Sequence, residues 1–102
     1  MPKIRMMSYW INAADQALFV RNATAIKRIW LRHGADDFRI ARVHTGQNTG
    51  QYEVTITFAD WATFGRASQG ATTDDEFIKM MDASYANGKM TERVITVEIE
   101  LD

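Results

Sequence analysis

The stretch FRIARVHTGQNTGQYEVTITF, residues 38–58, contains two alternating segments on either side of a centre bounded by glycines. Its two ends, 38–45 and 51–58, alternate between residue classes with the period of two that is typical of β-strands. The segment between them, 46–50, reads GQNTG and consists of residues that favour turns. The stretch therefore predicts a β-hairpin, and the rest of the chain is interpreted outward from it.

The register of this hairpin decides which side chains share a face of the sheet. A connection of about six residues gives four pairs on one face: His44 with Gln51, Arg42 with Glu53, Ile40 with Thr55, and Phe38 with Thr57. The other face then carries mostly apolar residues, which are Val43, Ala41, Tyr52, Val54 and Ile56. This separation of polar from apolar residues favours the register.

Outside the hairpin, the sequence predicts two further strands and two helical regions. The strands are expected at 3–10 and 92–101, where apolar residues recur at every second position. The first helix is expected at 13–33, with Asn12 as its N-cap and Gly34 after its end. The second helical region is expected as two segments, 61–69 and 74–86; Gly70 interrupts it, and a Thr73-x-x-Glu76 capping box starts the second segment.

The order of elements is strand, helix, strand, strand, helix, strand. With right-handed crossovers this order predicts an α+β fold, a ferredoxin-like βαββαβ sandwich with an antiparallel sheet and the helices on one face. The first and third strands are expected at the centre of the sheet. A chain of 102 residues fits one such domain, 1–102.

Composition and charge exclude several classes of protein. The absence of Cys excludes disulfides, thiol nucleophiles and Cys-rich zinc sites. A net charge of −1 argues against a general nucleic-acid binder, and no RNA or DNA partner is expected. No apolar run approaches the roughly 18 residues that span a bilayer, so no membrane partner is expected. The first residues lack the features of a secretory signal, and we expect a cytoplasmic protein.

The sheet face that the helices leave open is not a plain solvent face in this interpretation. It mixes apolar with polar residues, namely Met7, Tyr9, Phe38, Ile40, Arg5, Arg42, His44, Glu53, Thr55 and Thr57. Such a mixture suggests a covered or ligand-lined surface, and the edge strands also need protection. We therefore expect a homodimer in which two sheets face each other and form a barrel. The alternative is a monomer that tolerates a mixed surface.

Three residues on the open face are candidate catalytic residues: His44, Arg42 and Tyr9. A histidine exchanges protons near neutral pH, an arginine offers a fork of donors, and a tyrosine hydroxyl donates to a ligand oxygen. The candidate ligand-binding residues are Arg5, Met7, Glu53, Thr55, Thr57 and Trp61. Each has a structural alternative: an ordinary hairpin histidine, an exposed Arg42–Glu53 pair, and tryptophan packing in the core.

The two histidines do not form a metal-binding pattern. His33 ends the first helix, where a cation complements the helix dipole, and capping is its expected role. His33 and His44 lack the spacing of a metal-ligand motif, so no metal site is predicted. The sequence identifies no cofactor, and haem is among the alternatives.

The chain resembles the dimeric α/β-barrel superfamily, which includes antibiotic-biosynthesis monooxygenases, NIPSNAP-type proteins and stress-responsive barrel proteins. The resemblance covers nearly the whole chain as element order and length. Its local matches are the hairpin VHTG to GQY at 43–52, the segment TFADW at 57–61, and the segment DDEF at 74–77. No catalytic motif of the superfamily matches residue by residue, so the resemblance implies the fold and no particular site residue.

The resemblance also implies a class of chemistry, which is cofactor-free oxygenation. We expect an aromatic or polycyclic, enolisable or phenolic molecule, bound in a cavity between sheet and helices and oriented by His44, Arg42 and Tyr9. The first alternative is a non-catalytic ligand-binding or stress-response protein that uses the same cavity. The second is a purely structural or regulatory interaction domain.

Overall fold

A computed structural model describes residues 2–12 and 15–101 of the chain. The elements in chain order are β1 (Ile4–Asn12), α1 (Gln16–Arg32), β2 (Asp37–Arg42), β3 (Tyr52–Phe58), α2 (Trp61–Thr72), α3 (Asp75–Asn87) and β4 (Gly88–Val97). The strands form one antiparallel sheet in the order β2-β3-β1-β4. The predicted ferredoxin-like arrangement is confirmed, with the first and third strands at the centre.

The first helix begins later than predicted. Its N-cap is Asp15, whose side chain accepts a hydrogen bond from the backbone nitrogen of Leu18 at 2.8 Å. The predicted cap at Asn12 is therefore wrong, because Asn12 is the last residue of β1. Residues 13 and 14 of the predicted helix lie outside the described residues. The helix ends at Arg32, with His33 in the predicted C-cap position.

The second helical region also differs from the prediction. Helix α2 continues through Gly70, so the predicted interruption there is wrong. The glycine leaves room for His33, because a Cβ at position 70 would lie 2.5 Å from His33 Nδ1. The N-cap of α3 is Asp74 rather than Thr73, so the predicted capping box is wrong. The Thr73 hydroxyl donates instead to the carbonyl of Gln69 at 2.9 Å, which closes the end of α2.

The predicted register of the hairpin is wrong by one residue. Arg42 pairs with Tyr52, Ile40 with Val54 and Phe38 with Ile56, so these residues of β2 share the helix-covered face. Phe38 is 5% exposed and belongs to the core, and Ile40 packs against it. Phe38, Ile40 and Arg42 are therefore not on the open face, and Arg42 does not pair with Glu53.

A β-bulge explains the shift in register. The backbone nitrogen of Gly50 donates to the carbonyl of Val43, and the nitrogen of Val43 donates to the carbonyl of Gln51, both at 2.9 Å. Two residues thus oppose Val43, and Gly50 has the positive φ of 85° that the first position of such a bulge favours. The extra residue moves every pair beyond it by one position, which exchanges the two faces of β2.

Strand β4 starts and ends earlier than the predicted 92–101. Beyond the end of β4, the backbone nitrogen of Glu98 donates to the carbonyl of Lys3, the residue before β1, at 2.9 Å. Because β1 starts at Ile4, the chain beyond Glu98 has no further β1 residue to pair with, and Ile99 is 83% exposed. A second irregularity lies between Tyr9 and Trp10, where the pairing shifts so that Trp10 faces Met90.

The core lies between the sheet and the helices. Ile4, Ile29 and Phe58 are its largest fully buried side chains. Edge-to-face ring contacts join Phe58 to Trp30 at 5.7 Å and to Phe64 at 5.1 Å, which ties α1 and α2 to the sheet. None of the helices in the described ranges is long and apolar enough to cross a lipid bilayer.

Candidate functional site

A cavity of about 90 Å³ lies between the sheet, α1 and α3. Most of its lining is apolar and comes from Met6, Trp10, Phe19, Ile26, Trp30, Phe38, Val54, Ile56, Phe77, Met81 and Met90. Aromatic rings from α1, α3, β1 and β2 therefore surround the space. Such a lining suits an apolar or aromatic ligand better than a sugar or a nucleotide.

Aromatic contacts hold two walls of the cavity in place. The Phe19 ring stacks on Tyr52 with 4.2 Å between centroids, and the Arg42 guanidinium lies 4.9 Å from the centroid of the Tyr52 ring. Trp30 meets Phe77 edge to face at 5.6 Å, which joins α1 to α3 across the cavity. Arg42 thus has a packing role next to the cavity wall and does not line the cavity itself.

A few polar groups interrupt this apolar lining: Ser8, Asn22, Ser84, Asn87 and Arg93. The indole nitrogen of Trp10 donates to the Ser8 hydroxyl oxygen at 2.8 Å, which leaves the Ser8 hydrogen available to donate. The Ser84 hydroxyl donates to its own helix, to the carbonyl of Met80 at 2.9 Å. Within residues 2–12 and 15–101, the side chains of Asn22 and Arg93 make no hydrogen bond or ion pair.

Asn22 and Arg93 reach the cavity because of their positions in regular elements. Asn22 lies one turn before Ile26 on the face of α1 that packs on the sheet. Arg93 pairs with Ser8, on the sheet face that also carries Ile95 opposite Met6. Arg93 is exposed and is also among the residues that line the cavity, which places it at the cavity rim.

Sequence reasoning missed these polar residues, although the sequence carries a signal for them. Asn22 interrupts the apolar stripe of the first helix, and Arg93 has the same parity as Ile95 and Val97 in the last strand. A polar residue on a face that is otherwise apolar is informative, because its burial is unfavourable without a partner. Two such residues meeting at one cavity are therefore candidates for contact with a ligand.

Most of the predicted site residues lie together on the open face, away from the cavity. Arg5, Met7 and Tyr9 alternate along β1, and their direct partners in β3 are Thr57, Thr55 and Glu53. All six are partly rather than fully exposed. The structure thus brings these six predicted residues together on one surface.

Tyr9 and Glu53 form the polar centre of this open face. A hydrogen bond to the Glu53 carboxylate raises the pKa of the Tyr9 hydroxyl, and burial and the charge of Glu92 act in the same direction. Thr55 donates to the Glu53 Oε1 atom at 3.4 Å. Arg5 donates to Glu98 at 3.2 Å toward the other end of β1. The face is therefore held by polar contacts, with Met7 and Val94 as its apolar pair.

The remaining predicted residues lie elsewhere. His44 is exposed in the connection between β2 and β3, and Arg42 packs on Tyr52 at the helix-covered side. Trp61 is 55% exposed at the start of α2, where it contacts Phe64 edge to face at 5.7 Å. None of the nine predicted site residues lines the cavity, so any part they play in catalysis stays a prediction.

The sequence matches no family model and no curated protein. The three-dimensional structure does match solved structures. SnoaB, described as a cofactor-independent oxygenase from Streptomyces nogalater, superposes with a TM-score of 0.77 at 15% identity, covering 99% of this chain and 97% of SnoaB. A dimeric ferredoxin-like protein from an uncultured marine organism gives a TM-score of 0.68 at 20% identity, with both chains covered completely (100%).

A third similar structure is a dabb family protein with a ferredoxin-like fold from Mesorhizobium loti. It gives a TM-score of 0.65 at 13% identity, and 100% of each chain is covered. Identities this low establish the fold and leave the activity to be argued from the site itself. The chain therefore has the ferredoxin-like fold that its sequence predicts.

Proposed function

We propose that the chain binds an aromatic, phenolic or enolisable small molecule in the cavity and oxygenates it without a cofactor. The observation that carries the proposal is the lining itself, which consists mostly of aromatic and aliphatic side chains with Arg93 at the rim. Among the described residues, the side chain of Arg93 has no hydrogen-bond or ion-pair partner. The structural similarity to a cofactor-independent oxygenase supports the same class of reaction. Arg93 and Asn22, rather than the predicted His44, Arg42 and Tyr9, are the residues proposed to contact the substrate.

The chemistry of such a site follows from its lining. An aromatic substrate packs against rings such as Trp10, Trp30 and Phe77 and loses its hydration there. Its phenolic or enolic oxygen is oriented to Arg93, whose guanidinium favours the anion over the neutral form. The anion is the electron-rich form that reacts with molecular oxygen, so Arg93 promotes the reaction by raising the bound fraction of that form.

The overall reaction is balanced with molecular oxygen as the only co-reactant. A CH₂ group next to the aromatic system loses two hydrogens and gains one oxygen atom as a carbonyl, and the second oxygen atom leaves as water. The substrate supplies the electrons for this reduction of oxygen. The protein's part is to bind, to orient and to stabilise the anion.

One observation favours the non-catalytic alternative. No Asp, Glu or His is among the described residues that line the cavity, so no strong general base faces a bound molecule. A substrate that does not ionise readily would then be held without reaction. The alternative is a protein that binds or carries an aromatic ligand in the same cavity, as in a stress response.

We also propose that two copies associate through their open faces. The supporting observations are the half-buried mixed surface around Met7 and Val94, the two edge strands, and the similarity to a protein described as dimeric. A facing sheet would cover Met7 and enclose the Tyr9–Glu53 pair. The cavity between sheet and helices stays on the outer side of each copy.

The experiment measures oxygen uptake and quinone absorbance when the purified protein meets a hydroxyanthrone, which has both a phenol and an enolisable CH₂. We expect one oxygen molecule consumed for each quinone formed, at a rate above that of the protein-free solution. Arg93→Gln should lower kcat/KM about tenfold to a hundredfold, since one stabilising contact to the anion is lost.

Arg42→Gln is the matched control, because it removes an arginine that packs beside the cavity without lining it. Equal losses in both variants would contradict the assignment of Arg93. A rise in Tm with the hydroxyanthrone and no oxygen uptake would support the binding protein instead. Neither binding nor turnover would contradict both functions.

A further inference from the structure

The cavity is small for the class of ligand proposed above. An apolar cavity of roughly 150 Å³ in another protein holds a single benzene molecule, whereas this one measures about 90 Å³. A polycyclic molecule therefore requires one wall to move outward. The wall that moves should be the one whose displacement exposes the least buried surface.

Helix α3 is that wall. It contributes Phe77, Met81, Ser84 and Asn87 to the cavity, yet none of its 13 residues is buried. In contrast, α1 on the opposite wall has four buried residues, and two of them, Ile29 and Trp30, are at most 5% exposed. Moving α3 therefore disrupts less packing than moving α1.

Two ring contacts join α3 to tryptophans on other walls of the cavity. Tyr85 lies 5.4 Å from the ring of Trp10, and Phe77 lies 5.6 Å from that of Trp30. Both tryptophans line the cavity, so a displacement of α3 changes the surroundings of both indoles. The C-terminal end of α3 passes directly into β4 at Gly88, which anchors that end to the sheet.

A cluster of charged residues fixes the other end of α3. The Oδ2 atom of Asp74 lies 2.8 Å from Arg32 Nη2 and 2.8 Å from His33 Nε2, and Arg32 also lies 3.4 Å from Glu76. We refer to Arg32, His33, Asp74 and Glu76 as the latch. The hydrogen bonds from His33 and then Arg32 hold the pKa of Asp74 well below its ordinary value, so its carboxylate stays ionised at neutral pH.

We propose that α3 is a lid over the cavity, and that the latch sets how often it opens. The lid rests on the proposed function, because its role is to admit the aromatic ligand. In the closed state the latch joins the start of α3 to the end of α1. In the open state these ion pairs separate, and the Phe77 and Tyr85 rings move away from the two tryptophans.

The test uses Asp74→Asn in a Trp61→Phe background, so that the remaining fluorescence comes from the two cavity tryptophans. An asparagine still caps α3 through its side-chain oxygen, but it removes the charge from the latch. Asp60→Asn is the matched control, since Asp60 caps α2 by the same kind of bond, to Thr63 at 2.8 Å, and lies outside the latch.

Stopped-flow mixing with anilinonaphthalene sulfonate follows energy transfer from the tryptophans to the probe. For a gated cavity the observed rate reaches a plateau at high probe concentration, and the plateau is the opening rate. We expect Asp74→Asn to raise this plateau about threefold to tenfold, with Asp60→Asn unchanged. Amide exchange in 75–87 should rise with Asp74→Asn and should not rise with Asp60→Asn.

Two results would overturn the lid alone. A rate that rises linearly with probe concentration and is the same in Asp74→Asn would show an ungated cavity and would leave the proposed function intact. Amide exchange in 75–87 that does not respond to Asp74→Asn would show that the latch does not control α3. An absence of probe binding would instead contradict the proposed ligand cavity, and the lid with it.

Discussion

The two faces of the sheet consist of alternate residues of the same four strands, but they are stabilised in different ways. On the helix-covered face, Ile56 and Phe58 are at most 4% exposed and pack among rings from α1 and α2. On the open face, their neighbours Thr55 and Thr57 are only partly covered and lie among ion pairs. One face thus supplies most of the folding free energy, and the other is free to serve association.

The largest difference between the faces should appear when one residue of β3 is truncated on each. Phe58→Ala removes a fully buried ring and should lower the free energy of unfolding by about 3–5 kcal/mol. Thr57→Ala, the adjacent residue on the open face, should change it by less than about 0.5 kcal/mol. Urea unfolding at one fixed protein concentration measures both, and equal losses would contradict the division between the faces.

A charge introduced on the open face should weaken association strongly and should affect the folding of each copy less than Phe58→Ala does. Met7→Glu places a charge in the proposed interface of each copy and should raise the dimer dissociation constant about a hundredfold or more. Light scattering coupled to size exclusion measures the change. Ile78→Glu is the control, because Ile78 is 48% exposed on α3 and is outside the open face.

The result of this pair of variants is interpretable in both directions. A wild-type chain that is already monomeric at micromolar concentration would contradict the proposed association. A dimer that Ile78→Glu disrupts and Met7→Glu does not would place the interface on the helices.

The helix-covered face could be predicted for three strands and not for the fourth. In β1 and β3, apolar residues two positions apart identify the buried side directly: Ile4 and Met6 in β1, and Val54 and Ile56 in β3. In β2 the residues Phe38 and Ile40, considered without the hairpin connection, identify the buried side in the same way. The length of the connection predicts the opposite face, and the bulge at Gly50 makes that length a poor guide.

The cavity was harder to predict than the fold, because it depends on contacts between distant elements. Asn22 and Arg93 are 71 positions apart in sequence, as their residue numbers give, and meet only through the pairing of β4 with β1 and the packing of α1. The irregularity at Trp10 also moves Met90 into the lining, where a regular strand would place Thr91. Alternation cannot reveal such shifts, whereas polar interruptions of apolar faces can indicate where to look.

The smallest expected effect concerns the ionisation of Tyr9, in the middle of the open face. Its hydrogen bond to the Glu53 carboxylate favours the neutral phenol, and the charge of Glu92 adds to this effect, so its pKa lies above the ordinary value of 10.0. A raised pKa means that the stabilisation from Tyr9 is fully present below the unfolded-state value and is lost as the pH rises through the folded-state value.

Ultraviolet difference titration of the wild type against Tyr9→Phe isolates this hydroxyl from the other two tyrosines. We expect the Tyr9 transition to move to lower pH in Glu53→Gln, because the amide removes the negative charge that opposes phenolate formation. Glu98→Gln is the control, since Glu98 pairs with Arg5 near the other end of β1. A Tyr9 transition that does not move in Glu53→Gln would show that the open face has no polar centre at this pair, and an interface there would then depend on Met7 and Val94.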